Sequence, residues 1–381
     1  MKKYYLLTPG PTPIPSEVAL ESALPVLHHR TSEFGKIFTE VIEGLKYVFQ
    51  TQGTVLLVTS SGTGAMEASV VNLLSPGDKV LVVPCGVFGE RWVKILETYG
   101  IKSEVIRSEW GKAIDLQAVE KRLKTNSGIK AIFTTHTETS TGTVNDLKTL
   151  GEIVNKSPAV LVIDSISGLC AQELYTDAWH LDVVVGASQK GLMNAPGLAF
   201  VALSEKAWNL VEKAQLPRFY WDFRRMKKSL EDKETPFTPA VTLIVGLRQA
   251  LEMIKRDTLE NIWLRHEKLA VATRAGIQKL NLELFAESPA NVVTAVKSPA
   301  GLDSGKLVKK LREEYGVSIA GGQQELKGKI FRIAHLGYMN EFDILVGISA
   351  IERGLYELGY QHFNFGDGLA AAEKVLFQKG G

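Results

Sequence analysis

The stretch VVVGASQKGLMNAPGLAFV, Val183 to Val201, holds two apolar, strand-like runs separated by a turn that contains one lysine, Lys190. Val183-Val184-Val185 would lie inside a sheet, so Lys190 falls just past the point where that run emerges. Gly191, Asn194, Pro196 and Gly197 then interrupt the chain before Leu198 and Phe200 resume the apolar pattern. The interval is too short for a helical crossover, which predicts an antiparallel, hairpin-like pairing of the two runs. A solvated loop lysine is the ordinary reading of such an amine. What other strands bring to the same sheet edge decides whether this one is different.

Similar runs recur upstream: TVLLVTS, KVLVVP, KAIFTTH and AVLVIDS. Each is apolar on successive residues rather than alternating, as expected for strands covered on both faces. Helix-like segments lie between several of them. GAMEASVVNLL sets Met66, Val70, Leu73 and Leu74 on one stripe before SPGD stops it, and FGERWVKILETYG sets Val93 and Leu96 on another before Gly100. Strands alternating with helices predict an α/β fold, a mostly parallel sheet with helices on both faces. After about Pro239 the rhythm changes. AVTLIVGLRQALEMI and NIWLRHEKLAVATRAGIQKL read as long helices, NVVTAVKS and KIFRIAH as shorter strands, and Asp303 and Asn340 as caps of later helices. The expected division is an N-terminal arm (1–20), a large domain (21–258) and a smaller C-terminal α+β domain (259–381).

With 381 residues, 45% of them hydrophobic, the chain can bury a sizeable core. A net charge of +2 argues against nucleic acid as the main partner, since a phosphate backbone calls for a concentrated basic face. The nearest basic block, FRRMKK (Phe223 to Lys228), reads as a solvated helix end. MKKYYLLTPGPTPIP begins like a signal peptide but reaches Pro9 after too few apolar residues, and no run is long enough to span a bilayer. Two cysteines, Cys85 and Cys170, make neither a disulfide framework nor a metal-ligand spacing, so a soluble, cytoplasmic protein without a metal is expected. His28-His29-Arg30 is a tempting cluster, but adjacent histidines on a strand would point to opposite faces.

Ligands of open α/β sheets gather outside the carboxyl ends of strands. The first strand runs into TSSGTGAMEAS, where Ser61, Gly62 and Thr63 open a helix whose free N–H groups would suit a phosphate. The turn is neither a Walker A nor a GxGxxG pattern. The next strand ends in PCGVFGER, leaving Phe88 on a loop where it could stack on a planar ligand or fill core. HTETSTG places Thr139 at the end of a further strand, VLVIDS delivers Asp164, and Gln189 precedes Lys190. A phosphate seat, an aromatic ring, a carboxylate and an amine fit one ligand, pyridoxal 5′-phosphate. The lysine would form a Schiff base with its aldehyde, and the carboxylate would keep the ring nitrogen protonated.

LTPGPTPIP, EVIEGLKYVFQT, SSGTGAMEAS, HTETSTG, VIDSISGL, GASQKGLMNAPGL and FRIAHLG together resemble the class V aminotransferases of fold type I, in the alanine–glyoxylate and serine–pyruvate branch. The resemblance runs in order through most of the chain. It implies a seven-stranded-type sheet and assigns Lys190 as the cofactor-binding lysine and proton-transfer base. Asp164 would meet the pyridine nitrogen, Phe88 the ring face and Thr139 the phenolic oxygen. Ser61, Gly62, Thr63 and Gln189 fall on phosphate-contacting positions, although relatives often carry His in place of Thr63. Thr238 and Thr235, in ETPFTPAV, match a segment that completes the neighbouring subunit's phosphate site, which implies a homodimer. At the Thr235 position relatives can carry Tyr. Arg332 matches the arginine that grips the substrate α-carboxylate, against the ordinary reading of a surface ion pair.

The implied reaction moves an amino group from alanine or serine to glyoxylate or pyruvate, by a ping-pong route through a pyridoxamine phosphate form. A class V aspartate aminotransferase is the alternative. It would need a second cation, for which Arg30 and Arg218 are candidates. A cysteine desulfurase shares the fold but needs a mobile cysteine in the C-terminal part, and none occurs after Cys170. A non-catalytic subunit of a larger complex is the remaining reading, since members of this branch have been labelled hydrogenase-associated subunits.

Overall fold

The computed structural model describes residues 3–377. Among them, a seven-stranded sheet forms the centre, made of β2 (Thr54–Val58), β3 (Lys79–Val82), β4 (Ser103–Val105), β5 (Ile129–Thr135), β8 (Val160–Asp164), β9 (Val183–Ala187) and β10 (Ala199–Leu203). Their spatial order is β2-β10-β9-β8-β5-β3-β4. From β9 to β4 all neighbours are parallel. β10 runs antiparallel to both β9 and β2, with Ala199 opposite Ala187 and Val58. The expected hairpin-like pairing around Lys190 is therefore present. Residues alternate between faces along each strand: Leu57, Leu161 and Ile163 join one core, whereas Val58, Val160 and Val162 join the other.

The first core is covered by α2 (Ser32–Phe49), α5 (Leu116–Thr125), α6 (Leu147–Asn155) and α9 (Val241–Asp257). The second is covered by α3 (Gly62–Leu73), α4 (Val87–Thr98), α7 (Glu205–Val211) and α8 (Phe223–Glu231). FRRMKK opens α8 rather than ending a helix, because the Asp222 carboxylate caps its first turn by accepting from the Arg224 N–H at 3.0 Å.

A third core belongs to the C-terminal part. There α10 (Leu259–Lys279), α11 (Ser304–Lys310), α12 (Glu341–Glu357) and α13 (Asp367–Phe377) accompany an antiparallel sheet of β11 (Val293–Lys297), β14 (Ile330–Ala334) and β13 (Ala320–Gly321). Asp303 and Asn340 cap α11 and α12 as their sequence context predicts, and Asn340 and Asp343 form a capping box. The N-terminal segment crosses between the two parts. β1 (Tyr5–Leu6) pairs in parallel with β12 (Val317–Ser318), and the Leu7 carbonyl accepts from the Ala334 N–H at 2.9 Å. The chain then passes over Lys190, where the Thr12 hydroxyl donates to the Lys190 carbonyl at 3.1 Å, before α1 (Ser16–Ser22) begins. A two-stranded ribbon of β6 (Thr137–Glu138) and β7 (Thr143–Val144) extends from the end of β5.

Candidate active site

β8 and β9 are parallel neighbours with Asp164 opposite Val185, so both open at one sheet edge. Asp164 is the last residue of β8, and Ser188-Gln189-Lys190 follow directly on β9. At the same edge β2 leads through Ser60 and Ser61 into α3, β3 leads through Gly86 into α4, and β5 leads into Thr137-Glu138-Thr139. The result is a cavity of about 230 Å³ lined by Ser61, Gly62, Thr63, Phe88, Thr139, Asp164, Gln189 and Lys190. Larger hollows of about 430 and 600 Å³ lie elsewhere on the molecule, but neither gathers chemistry of this kind. Convergence of strand ends, rather than size, marks the site.

Gly62 must be small. A Cβ there would lie 2.4 Å from Ile166 Cδ1, on the segment that follows Asp164. Ser61 sits in extended conformation at the N-cap of α3 without using its side chain as a cap. Its hydroxyl and the first N–H groups of α3 remain available to an anion. Phe88 lies in the first turn of α4 rather than on a loop, because Gly86 is already the N-cap. It is half-buried and lines the cavity, so it does not belong to the apolar core.

Desolvation raises the buried Asp164 carboxyl to about 6, against the Ile166 N–H that donates to it at 2.9 Å and favours the ionised form. Desolvation also pulls the Lys190 amine down to about 8, opposed by Asp164 and assisted by the like charges of Arg332 and Arg91. The amine donates to the Pro9 carbonyl of the N-terminal segment. Beside it Gly10 has φ +139°, and a Cβ at that position would lie 2.1 Å from Lys190 Nζ.

Arg332 is not in a surface ion pair. It is 4% exposed, and its fork donates to backbone carbonyls: Nε and Nη2 to Gly321 at 3.0 and 2.8 Å, and Nη1 to Thr139 at 2.8 Å. It thus stands behind Thr139 without lining the cavity. Burial lowers it to about 10, which leaves it cationic at neutral pH. Thr235 and Thr238 lie away from the cavity of their own chain. The Thr235 hydroxyl donates to the Phe237 carbonyl at 2.8 Å, and Thr238 is exposed. His28 and His29 lie on a turn, not a strand, with ring centroids 5.2 Å apart, and do not line the cavity either.

Two charged residues escape a reading of the sequence alone. Arg91 lines the cavity one turn beyond Phe88 on α4. Its only signal was the i, i+3 spacing, which any solvated helix face shares. Glu138, in HTETSTG, is fully buried and accepts from the N–H groups of Phe88 and Gly89 at 3.2 and 2.9 Å. It caps α4 from outside, where Gly86 has no side chain to do so.

The residues present fit pyridoxal phosphate. Gln189 Oε1 and Thr137 Oγ1 line the cavity, buried and without hydrogen-bond partners, which is costly unless a ligand satisfies them. Ser61, Thr63 and the start of α3 could hold the phosphate, Phe88 the ring, Asp164 the ring nitrogen and Lys190 the aldehyde carbon.

Comparison with known proteins agrees with this geometry. The family model described as Aminotransferase class-V matches residues 4–335. The chain is 43% identical, over 98% of its length and 99% of the relative's, to a protein of Anabaena cylindrica named soluble hydrogenase 42 kDa subunit. It is 36% identical to the L-aspartate–glyoxylate aminotransferase of Paracoccus denitrificans, covering 97% of this chain and 95% of that one. It is 33% identical to the serine–glyoxylate aminotransferase of Methylorubrum extorquens, covering 98% and 96% respectively. Among solved structures, the pyridoxamine–pyruvate aminotransferase of Mesorhizobium loti superposes with a TM-score of 0.94 at 28% identity, covering 99% of this chain and 97% of that one. The mostly parallel sheet with a smaller C-terminal part is thus the fold of the fold type I pyridoxal phosphate enzymes. By a family match spanning nearly all of its length up to residue 335, the chain belongs to the class V aminotransferases.

Proposed function

We propose that this protein transfers an amino group from alanine or serine to glyoxylate or pyruvate, in two half-reactions that share one pyridoxal phosphate. The observation that carries this reading is the pair of adjacent parallel strand ends presenting Asp164 and Lys190 to one cavity, with the unsatisfied Gln189 oxygen and the α3 turn beside them. When bound, the cofactor supplies an electron sink for the carbanion formed at the substrate Cα.

The chain's residues do the rest. Asp164, buried at the cavity, would pair with the ring nitrogen and keep it protonated. Lys190 Nζ, which lines the cavity, would serve as the base that takes up and returns the proton of the substrate Cα. An amine lowered to about 8 has an appreciable neutral fraction near neutrality, as a base requires. Arg332 orients the substrate by its α-carboxylate, exchanging backbone carbonyl partners for a bidentate grip. Phe88 would hold the ring face, the α3 turn the phosphate, and Thr139 the phenolic oxygen. Thr235 and Thr238 of a second subunit complete the phosphate seat of a homodimer, a role that the exposure of Thr238 supports.

The named Paracoccus relative supports aspartate as an alternative donor. Neither cation suggested for its second carboxylate lines the cavity. Arg30 pairs with Glu234 and donates to the Thr235 carbonyl, while Arg218 donates from Nη1 alone to the carbonyls of Val71, Ala214 and Leu216. Desulfurase chemistry fits poorly, because burial pushes both cysteine thiols up to about 12. The name of the Anabaena relative favours a further reading, a subunit of a larger assembly.

The purified chain, mixed singly with alanine, serine and aspartate, separates these possibilities. Loss of visible cofactor absorbance with alanine or serine is the expected outcome, and the Lys190→Ala variant should show no such absorbance to begin with. Response to aspartate alone would replace the donor. No response to any amino acid would favour the subunit reading.

A further inference from the structure

Arg91 reaches across the cavity from one wall to another. α4 carries it one turn beyond Phe88, and its guanidinium carbon sits 4.8 Å from the centroid of the Phe88 ring. Its Nη1 donates to Thr63 Oγ1, 3.0 Å away in the first turn of α3. Among the described residues it forms no ion pair with a carboxylate. A half-buried guanidinium that braces a hydroxyl and a ring, and feels the Asp164 carboxylate across the cavity without touching it, is poised for an anion beside them. Ser61, Gly62 and Thr63 offer hydroxyls and N–H groups but no formal positive charge, so the nearest cation on that side of the cavity is Arg91.

We infer that Arg91 is a further cofactor-holding residue, which supplies the positive charge of the phosphate seat and fixes the Thr63 hydroxyl and the Phe88 ring around it. The inference rests on the pyridoxal phosphate reading given above. Like-charge repulsion between Arg91 and Lys190 adds a second consequence: the guanidinium favours the neutral, nucleophilic form of the amine.

The test uses the full chain stripped of cofactor and titrated with pyridoxal phosphate or with pyridoxal, which lacks the phosphate. Absorbance of the lysine adduct gives the apparent Kd. Arg91→Gln should weaken pyridoxal phosphate binding by about tenfold or more, the scale of a lost charge-assisted hydrogen bond, and change pyridoxal binding much less. Arg91→Lys should recover part of the loss by restoring the charge. Thr63→Val, which leaves Arg91 in place, should cost less than Arg91→Gln and serves if that variant does not fold. An unchanged Kd for pyridoxal phosphate in Arg91→Gln would overturn the inference. So would an equal loss for both ligands, which would mean that Arg91 only braces Phe88. Selective loss of the response to aspartate, with cofactor affinity intact, would also overturn it and place the residue at the substrate. If the unaltered chain forms no adduct at all, the cofactor reading itself fails, an outcome distinct from each of these.

Discussion

Asp164 illustrates how a single residue can be poor for folding and necessary for chemistry. Its buried carboxyl is raised from 3.8 to about 6, so between these values the folded chain binds more protons than the unfolded one. Stability of the cofactor-free protein therefore falls as pH rises through that window, and the cost is complete above about 6. Lys190, lowered from 10.5 to about 8, acts in the opposite direction: stability recovers as pH climbs between those two values. Asp164→Asn keeps an oxygen for the Ile166 N–H and removes the buried charge. It should stabilise the cofactor-free protein at pH 7 by on the order of 2 kcal/mol, flatten the acidic window and sharply weaken cofactor retention. A thermal melt showing an unchanged or lower midpoint would contradict this account. The identities of Asp164 and Lys190 were legible from the sequence because Asp164 ends an apolar run, Val160 to Ile163, and Lys190 follows within a few residues of another, Val183 to Val185. Arg91 was not, because a cation on an amphipathic helix looks the same whether it faces water or a cavity.

At the scale of the element, α4 shows how a helix start can depend on a distant residue. Gly86 at its N-cap cannot satisfy the first N–H groups, and Glu138 does so from the β6 ribbon. A Cβ at Gly86 would lie 2.5 Å from the Glu138 side chain, so the glycine leaves room for the carboxylate. Glu138→Ala should destabilise the protein by about 2–4 kcal/mol, because it leaves buried N–H groups of Phe88 and Gly89 unpaired. It should also weaken cofactor binding, since the turn that carries Phe88 loses its anchor. Glu138→Gln, which keeps one acceptor oxygen, should fall in between. Equal cofactor affinity in all three proteins would show that the cap does not position Phe88. The strand and helix alternation predicted α4 itself. The sequence reads Phe88 as a loop residue, whereas it lies in the first turn of α4, because nothing local in PCGVFGER reveals a cap supplied from about fifty residues away.

Across the whole molecule, Arg332 joins the C-terminal sheet to the cavity wall through the Gly321 and Thr139 carbonyls. Arg332→Ala should raise KM for every amino donor by roughly 10–100-fold while cofactor stays bound, and a normal KM would remove the residue from the substrate site. Subunit assembly is testable at the same scale. If Thr238 acts on a neighbouring site, dilution to monomers should speed cofactor loss, and Thr238→Ala should mimic that loss without dilution. Full retention by monomers would refute the shared seat. Apolar runs and their spacing by themselves determined the strands on which the cavity is built, their helical cover and the hairpin around Lys190, because period and length are local properties that burial merely ratifies; the short edge strand β4, Ser103–Val105, carries no such run. Only the folded chain decided that Arg332 binds the Thr139 carbonyl, that Arg91 meets Thr63, that Glu138 caps the turn of Phe88, and that the Pro9 carbonyl receives the lysine amine. Those are contacts between residues far apart in sequence, and a linear pattern carries no information about which of many polar side chains will meet once strand ends converge.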